Sequence, residues 1–349
     1  MKKLIAKLHK KKEDSSLRIT NETVAEHRER ILAGGRRFKY PIQYARHKLV
    51  INAIVISIGA IIVLIAVGWW QLYPTQNSSE FMYRVTTVLP LPVASVDGQP
   101  VLYSDYLMKY RSDIHYLEQK EQVSLKSEDG KRQADYHRRQ AMNDAIADAY
   151  AVKLAKNLGI NVSDSDVDSF LKAQRQSSDG EVSEQTYNAS ILDILGWTPD
   201  EYKHAIKNKL LRQKVAYAID SESSSQSESV ASIIQSGNTD LESIASYINA
   251  SGGTQVAYGA SGWVSKYNQD GGLSSTASSM SKSQISSAVK ATTNNVYYYY
   301  FVRLLDINDS QVSYDYIQIP LSEFNKRLSE VEKAGKITEY ISIPKDATQ

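Results

Sequence analysis

The sequence predicts an α+β protein with one membrane-crossing helix near its N-terminus, a mostly helical middle and a smaller sheet-containing end. Three observations carry this. Residues 49–70, LVINAIVISIGAIIVLIAVGWW, hold no charge; residues 104–219 carry apolar side chains at helical spacing between recognisable caps; and residues 296–305, VYYYYFVRLL, are aromatic and β-branched.

The 48 residues before the apolar run contain 14 Lys/Arg against 5 Asp/Glu. Lys2, Lys3, Lys7, Lys10, Lys11 and Lys12 form a basic arm suited to anionic lipid headgroups. With no aromatic platform or folded motif beside the charge, nucleic acid is not an expected partner. Thr20 or Asn21 is expected to cap a short helix through Leu32, closed by Gly34-Gly35.

The 22 uncharged residues, at ~1.5 Å rise per residue, reach about 33 Å, enough for the ~30 Å hydrocarbon core. Trp69, Trp70 and Tyr73 make an aromatic collar before Pro74. A cleavable signal peptide would have a shorter apolar stretch ending in small residues, so residues 49–70 read as a retained signal anchor. The basic excess before them places residues 1–48 in the cytoplasm and the large remainder outside. The tail carries a net +9 and the rest −7, a split that the overall +2 hides. There is no cysteine, which excludes disulfides, thiol catalysis and thiolate metal sites and suits a bacterial envelope.

Residues 71–92, with Pro74, Pro90 and Pro92, are expected to form a stalk. A short strand at 93–96 then turns at Asp97-Gly98 and returns through Val101-Leu102, and Ser104 is expected to cap the helix that follows, to about Gln122. After a polar loop, residues 133–158 repeat Met142, Ala145, Ile146, Ala149 and Val152 at helical spacing and end at Gly159. Ser163 starts a third helix. Residues 182–194 make a fourth, and Thr198-Pro199-Asp200-Glu201 opens a fifth with a full capping box. Residues 220–229, DSESSSQSES, read as a solvated linker within which 221–228 separate two domains. A helix over 229–249 broken at Gly237, the tyrosine strand, a strand at 312–319, a helix at 321–334 and a strand at 337–343 complete the chain.

VASVDGQPVLYSDY at the start of this region resembles the opening of the SurA, PpiD and PrsA group of envelope foldases. Residues 144–171 and 196–215 are similar to that group's later chaperone-module segments. The resemblance implies a SurA-like helical chaperone module over 93–220, in which the strand 93–96 packs with the closing helix 198–219. It also implies a degenerate parvulin-like domain over 229–349. GNTDLESIA, residues 237–245, resembles the parvulin helix, and GASGWV, residues 259–264, its glycine-rich segment. Parvulins place a His in the first strand and another in the last; here the six His all precede residue 220, and Tyr300 occupies the last-strand position. The Ser-rich segment replaces the first strand, whose place in the sheet is left to 314–319, with Tyr316 at the His position.

The resemblance therefore implies a membrane-anchored extracytoplasmic chaperone that binds unfolded segments of exported polypeptides, with the lipid bilayer as its other partner. An active peptidyl-prolyl isomerase and a non-catalytic envelope scaffold are the alternatives. No catalytic, cofactor or metal residue is expected. Asp164, Asp166 and Asp168 have the spacing that begins a calcium loop, but Ser169 and Arg175 stand where the loop needs Gly and Glu, so they read as helix-dipole compensation.

Overall fold

The computed structural model describes residues 20–39, 41–293 and 296–344. The chain divides into two units, Met1–Trp70 and Gln71–Gln349. The lysine-rich arm, residues 1–18, lies outside the described residues.

The first unit holds α1 (Asn21–Lys39) and most of α2 (Pro41–Leu72). Thr20 and Thr23 exchange hydrogen bonds at the start of α1. The helix runs through Gly34-Gly35, the expected stop. An exposed glycine inside a helix costs only about 1 kcal/mol, too little to end it by itself. Within α2, His47–Leu72 is long and apolar enough to cross a membrane.

The second unit is α+β. Its helices are α3 (Glu80–Val88), α4 (Tyr103–Gln119), α5 (Glu128–Leu158), α6 (Asp164–Gln174), α7 (Glu184–Leu195), α8 (Pro199–Ile219), α9 (Ser221–Gln235), α10 (Leu241–Ala250), α11 (Leu273–Ser278) and α12 (Glu323–Lys333). Its strands are β1 (Pro92–Val96), β2 (Gln99–Leu102), β3 (Gln176–Ser177), β4 (Gly180–Glu181), β5 (Ala257–Ser265), β6 (Val289–Thr293), β7 (Val296–Ile307), β8 (Gln311–Pro320) and β9 (Ile337–Glu339). They form an antiparallel sheet in the order β2-β1-β9, the small β3-β4 hairpin, and an antiparallel sheet in the order β5-β8-β7-β6.

The local helix signals hold. Ser163 and Thr198 each close a capping box, with Asp166 and Glu201, and Gly159 ends α5 at φ +68°, where a side chain would be strained. Three expectations change. Residues 71–92 are no stalk: Leu72 is 1% exposed, the Tyr103 hydroxyl donates to its carbonyl at 2.5 Å, and α3 buries Met82, Tyr83 and Thr86. Ser104 lies inside α4, whose first N–H, that of Tyr103, donates to Leu91 O.

The Ser-rich linker is instead the helix α9, with Ser223, Gln226 and Ser227 buried. Two of these side chains find acceptors at a distance: Ser223 Oγ donates to Pro320 O at 2.9 Å and Gln226 Nε2 to Thr254 O at 2.9 Å. Asp220 takes the Ser223 N–H on one carboxylate oxygen and the Ser322 and Glu323 N–H groups on the other, so one buried side chain caps both α9 and α12. One apolar cluster runs from Leu72 through α4, α5 and α8 to Phe301, Phe324 and Ile343.

Candidate polypeptide-binding groove

The β2-β1-β9 sheet is closed by residues from opposite ends of the chain. In the pairing of β1 with β9, Ala94, Ser95 and Val96 face Glu339, Thr338 and Ile337. The flanking bonds Asp97 N–H to Lys336 O and Tyr340 N–H to Val93 O fix the alternation: Lys336, Thr338 and Tyr340 turn their backbone groups toward β1, and Ile337 and Glu339 turn theirs away. The strand 93–96 pairs with β2 and with the C-terminal strand, and its Val93 and Val96 share one apolar core with Val215, Ala216 and Ile219 of the closing helix. A three-residue strand cannot hold a sheet unaided, and two side-chain anchors supply the rest.

The first is Arg139, 9% exposed on α5. Its Nη1 and Nη2 reach the two Glu339 carboxylate oxygens at 2.6 and 3.2 Å, Nη2 donates to Ile343 O at 2.7 Å, and Nε donates to Pro344 O at 3.3 Å. The second is the β1-β2 turn. Asp97, at φ 46°, is held by Lys153 through its carbonyl and carboxylate and by Lys336 at 3.4 Å, and hydrogen bonding from Lys153 keeps its carboxyl below the usual range.

Outside β9 lies a groove of about 880 Å³ between α5, α12 and the C-terminal segment. Arg139, Asn143 and Ile146 line it from α5, Leu328 and Glu332 from α12, and Ile337, Thr338, Glu339, Ile341 and Ile343 from the strand and its continuation. β9 is an edge strand. Among the described residues nothing bonds the outward N–H and C=O groups of Ile337 and Glu339. The groove therefore offers both apolar wall and unpaired backbone, the two things an extended polypeptide can use.

Tyr300, the residue at the expected histidine position, sits elsewhere, on the larger sheet. It is 2% exposed, its hydroxyl shares a 3.0 Å hydrogen bond with Thr293 Oγ1, and its ring meets Tyr316 edge-on at 5.5 Å. Burial raises its pKa. The surrounding space is filled: Tyr314 donates to Asp270 Oδ2 at 2.7 Å, and at Gly259 a Cβ would fall 2.7 Å from the Tyr316 ring. On the opposite face Tyr297 and Tyr299 are buried against Tyr217 of α8, while Tyr298, on the Tyr300 face, is only partly buried. The strand carrying Tyr316, β8, lies between β5 and β7.

Where α5 and α8 meet the larger sheet, a smaller cavity of about 170 Å³ is lined mainly by charge and aromatics. Lys109 and Arg212 flank the buried Asp148 at 2.8 and 3.5 Å, and Arg212 Nε donates to Tyr297 Oη at 3.1 Å. Asp164, Asp166 and Asp168 at the start of α6 pair with Lys207, Lys214 and Lys203 of α8 at 3.1, 2.8 and 3.5 Å. Hydrogen bonds from Lys214 and from Ser163 lower the Asp166 pKa to about 2.

Arg139, Glu339 and the groove were not among the expected site residues. Their signal was a charge on an apolar stripe, since Arg139 stands three and seven residues before Met142 and Ile146. A family model described as the SurA-like N-terminal domain matches residues 42–216. No curated protein and no solved structure matches the chain.

Proposed function

Because this chain belongs to the SurA-like N-terminal domain family, we propose that it is a membrane-anchored, extracytoplasmic chaperone that holds unfolded segments of exported polypeptides. The observation that carries the reading beyond the family is the groove outside β9, where a strand edge without a partner among the described residues meets apolar side chains. Anchoring rests on His47–Leu72, and the outward orientation on the basic excess before it. Residues 93–220 form the chaperone module in this reading, and α12, β9 and the segment to Ile343 complete its groove.

Residues 229–349 act as a degenerate parvulin-like region without isomerase chemistry. Supporting this, β8 lies in the middle of the sheet, where the resemblance leaves room for a replaced first strand, and the Tyr300 hydroxyl is already engaged by Thr293.

The test is suppression of aggregation. Full-length protein in nanodiscs should keep several unrelated denatured substrates soluble at stoichiometric excess. Protection of none of them contradicts the chaperone, and tight binding of one folded partner instead would assign the chain to the scaffolds.

A further inference from the structure

We infer that the groove takes an extended polypeptide segment as a fourth strand, antiparallel to β9 and bonded to the outward backbone groups of Ile337 and Glu339. This deepens the chaperone reading and rests on it, naming the bound species as a strand rather than a helix or a folded surface.

Ile337 and Glu339 each turn an N–H and a C=O away from β1, so the edge presents four groups at strand spacing. A helical ligand has its backbone bonds closed internally and cannot use them; an extended one can. All neighbouring strands in this sheet are antiparallel, and a residue paired opposite Ile337 or Glu339 projects its side chain to their side of the sheet. Glu339 reaches Arg139 of α5, so that side faces α5, where Ile146 and Asn143 line the groove. A bound strand therefore turns every second side chain toward α5, over Ile146 and Asn143, and leaves the alternate ones wet. Arg139 adds little charge selectivity, because its guanidinium is engaged by Glu339 and two carbonyls.

The chain has no native cysteine or disulfide to complicate labelling, and the test uses full-length protein in nanodiscs. The probe is a fluorescent synthetic peptide of alternating valine and threonine, with two twins N-methylated at the valine amides or at the threonine amides. In antiparallel addition the valines face α5 and their amides face β9. Methylating them should weaken binding at least about tenfold, while the threonine-methylated twin should bind within about twofold of the parent. Equal binding of the two twins, or loss with the threonine-methylated twin alone, overturns the inference.

A second arm changes the protein. Ile337→Pro deletes an outward N–H that the β1-β9 ladder does not use, and Ile337→Val keeps it. The proline variant should lose about tenfold in peptide affinity and the valine variant little, with unfolding midpoints compared to exclude a folding defect. If Ile337→Pro instead changes the oligomeric state with peptide binding intact, the edge serves a second copy of this chain and the inference falls. Aggregation suppression insensitive to both arms removes the strand site and spares the chaperone; no suppression by the wild type removes the chaperone.

Discussion

Arg139→Met should destabilise the second unit by about 3 kcal/mol, near the low end of the ~3–5 kcal/mol range for breaking a buried ion pair. The low end applies because the Glu339 side chain keeps 22% of its surface in water. Four hydrogen bonds from one guanidinium to Glu339, Ile343 and Pro344 are lost together, leaving a half-buried carboxylate and two carbonyls without their donor. Methionine keeps the apolar stem, so little of the loss comes from packing. Glu339→Leu removes the stranded charge, and the double variant should recover roughly 1–2 kcal/mol relative to Arg139→Met, since replacing both partners costs less than orphaning one. The assay is urea unfolding of residues 71–349, the compact second unit, run as a double-mutant cycle. A loss below about 0.5 kcal/mol for Arg139→Met, or strictly additive single effects, would refute the claim that this ion pair fastens β9 to the body.

Three further outcomes follow from the same geometry. Protease added outside right-side-out vesicles should digest the region after residue 71 and spare the N-terminal 48 residues; protection of the large unit would reverse the proposed topology. Residues 71–349 should not accelerate isomerisation of short Xaa-Pro peptides above background, and acceleration that vanishes in Tyr300→Phe would restore the enzyme reading. The hydrogen bond that His204 Nε2 donates to Asp105 Oδ1, at 2.8 Å, raises the His204 pKa above its ordinary value, so its stabilising contribution is complete below about pH 6.5 and fades as pH rises through the folded-state value. Asp105→Asn should return the His204 titration toward ~6.5 by NMR, and an unchanged titration would contradict the pairing.

What could be read from sequence was what neighbours decide. Thr198 and Glu201 are three residues apart and close their capping box within one turn; the uncharged 49–70 run and the tyrosine strand are equally local. Local composition misled at α9, where serines that look solvated find acceptors on distant elements: Ser223 reaches Pro320, 97 residues away. The groove lay further beyond reach, because β9 pairs with β1 and Arg139 meets Glu339 across 200 residues of chain. Tyr300 was placed on the correct strand, yet only the folded sheet shows its hydroxyl taken by Thr293 and its ring packed against Tyr316.

Amide hydrogen exchange at Ile337 and Glu339, measured on the full-length protein with and without a bound unfolded substrate, tests the central claim most directly. Their N–H groups point away from β1 and have no acceptor among the described residues, so in the free protein they should exchange fast beside the protected Tyr340. If the protein holds client segments as an added strand, substrate should slow both amides markedly and leave Tyr340 unchanged. Substrate binding that leaves Ile337 and Glu339 as fast as before, with new protection confined to the helices, would contradict it.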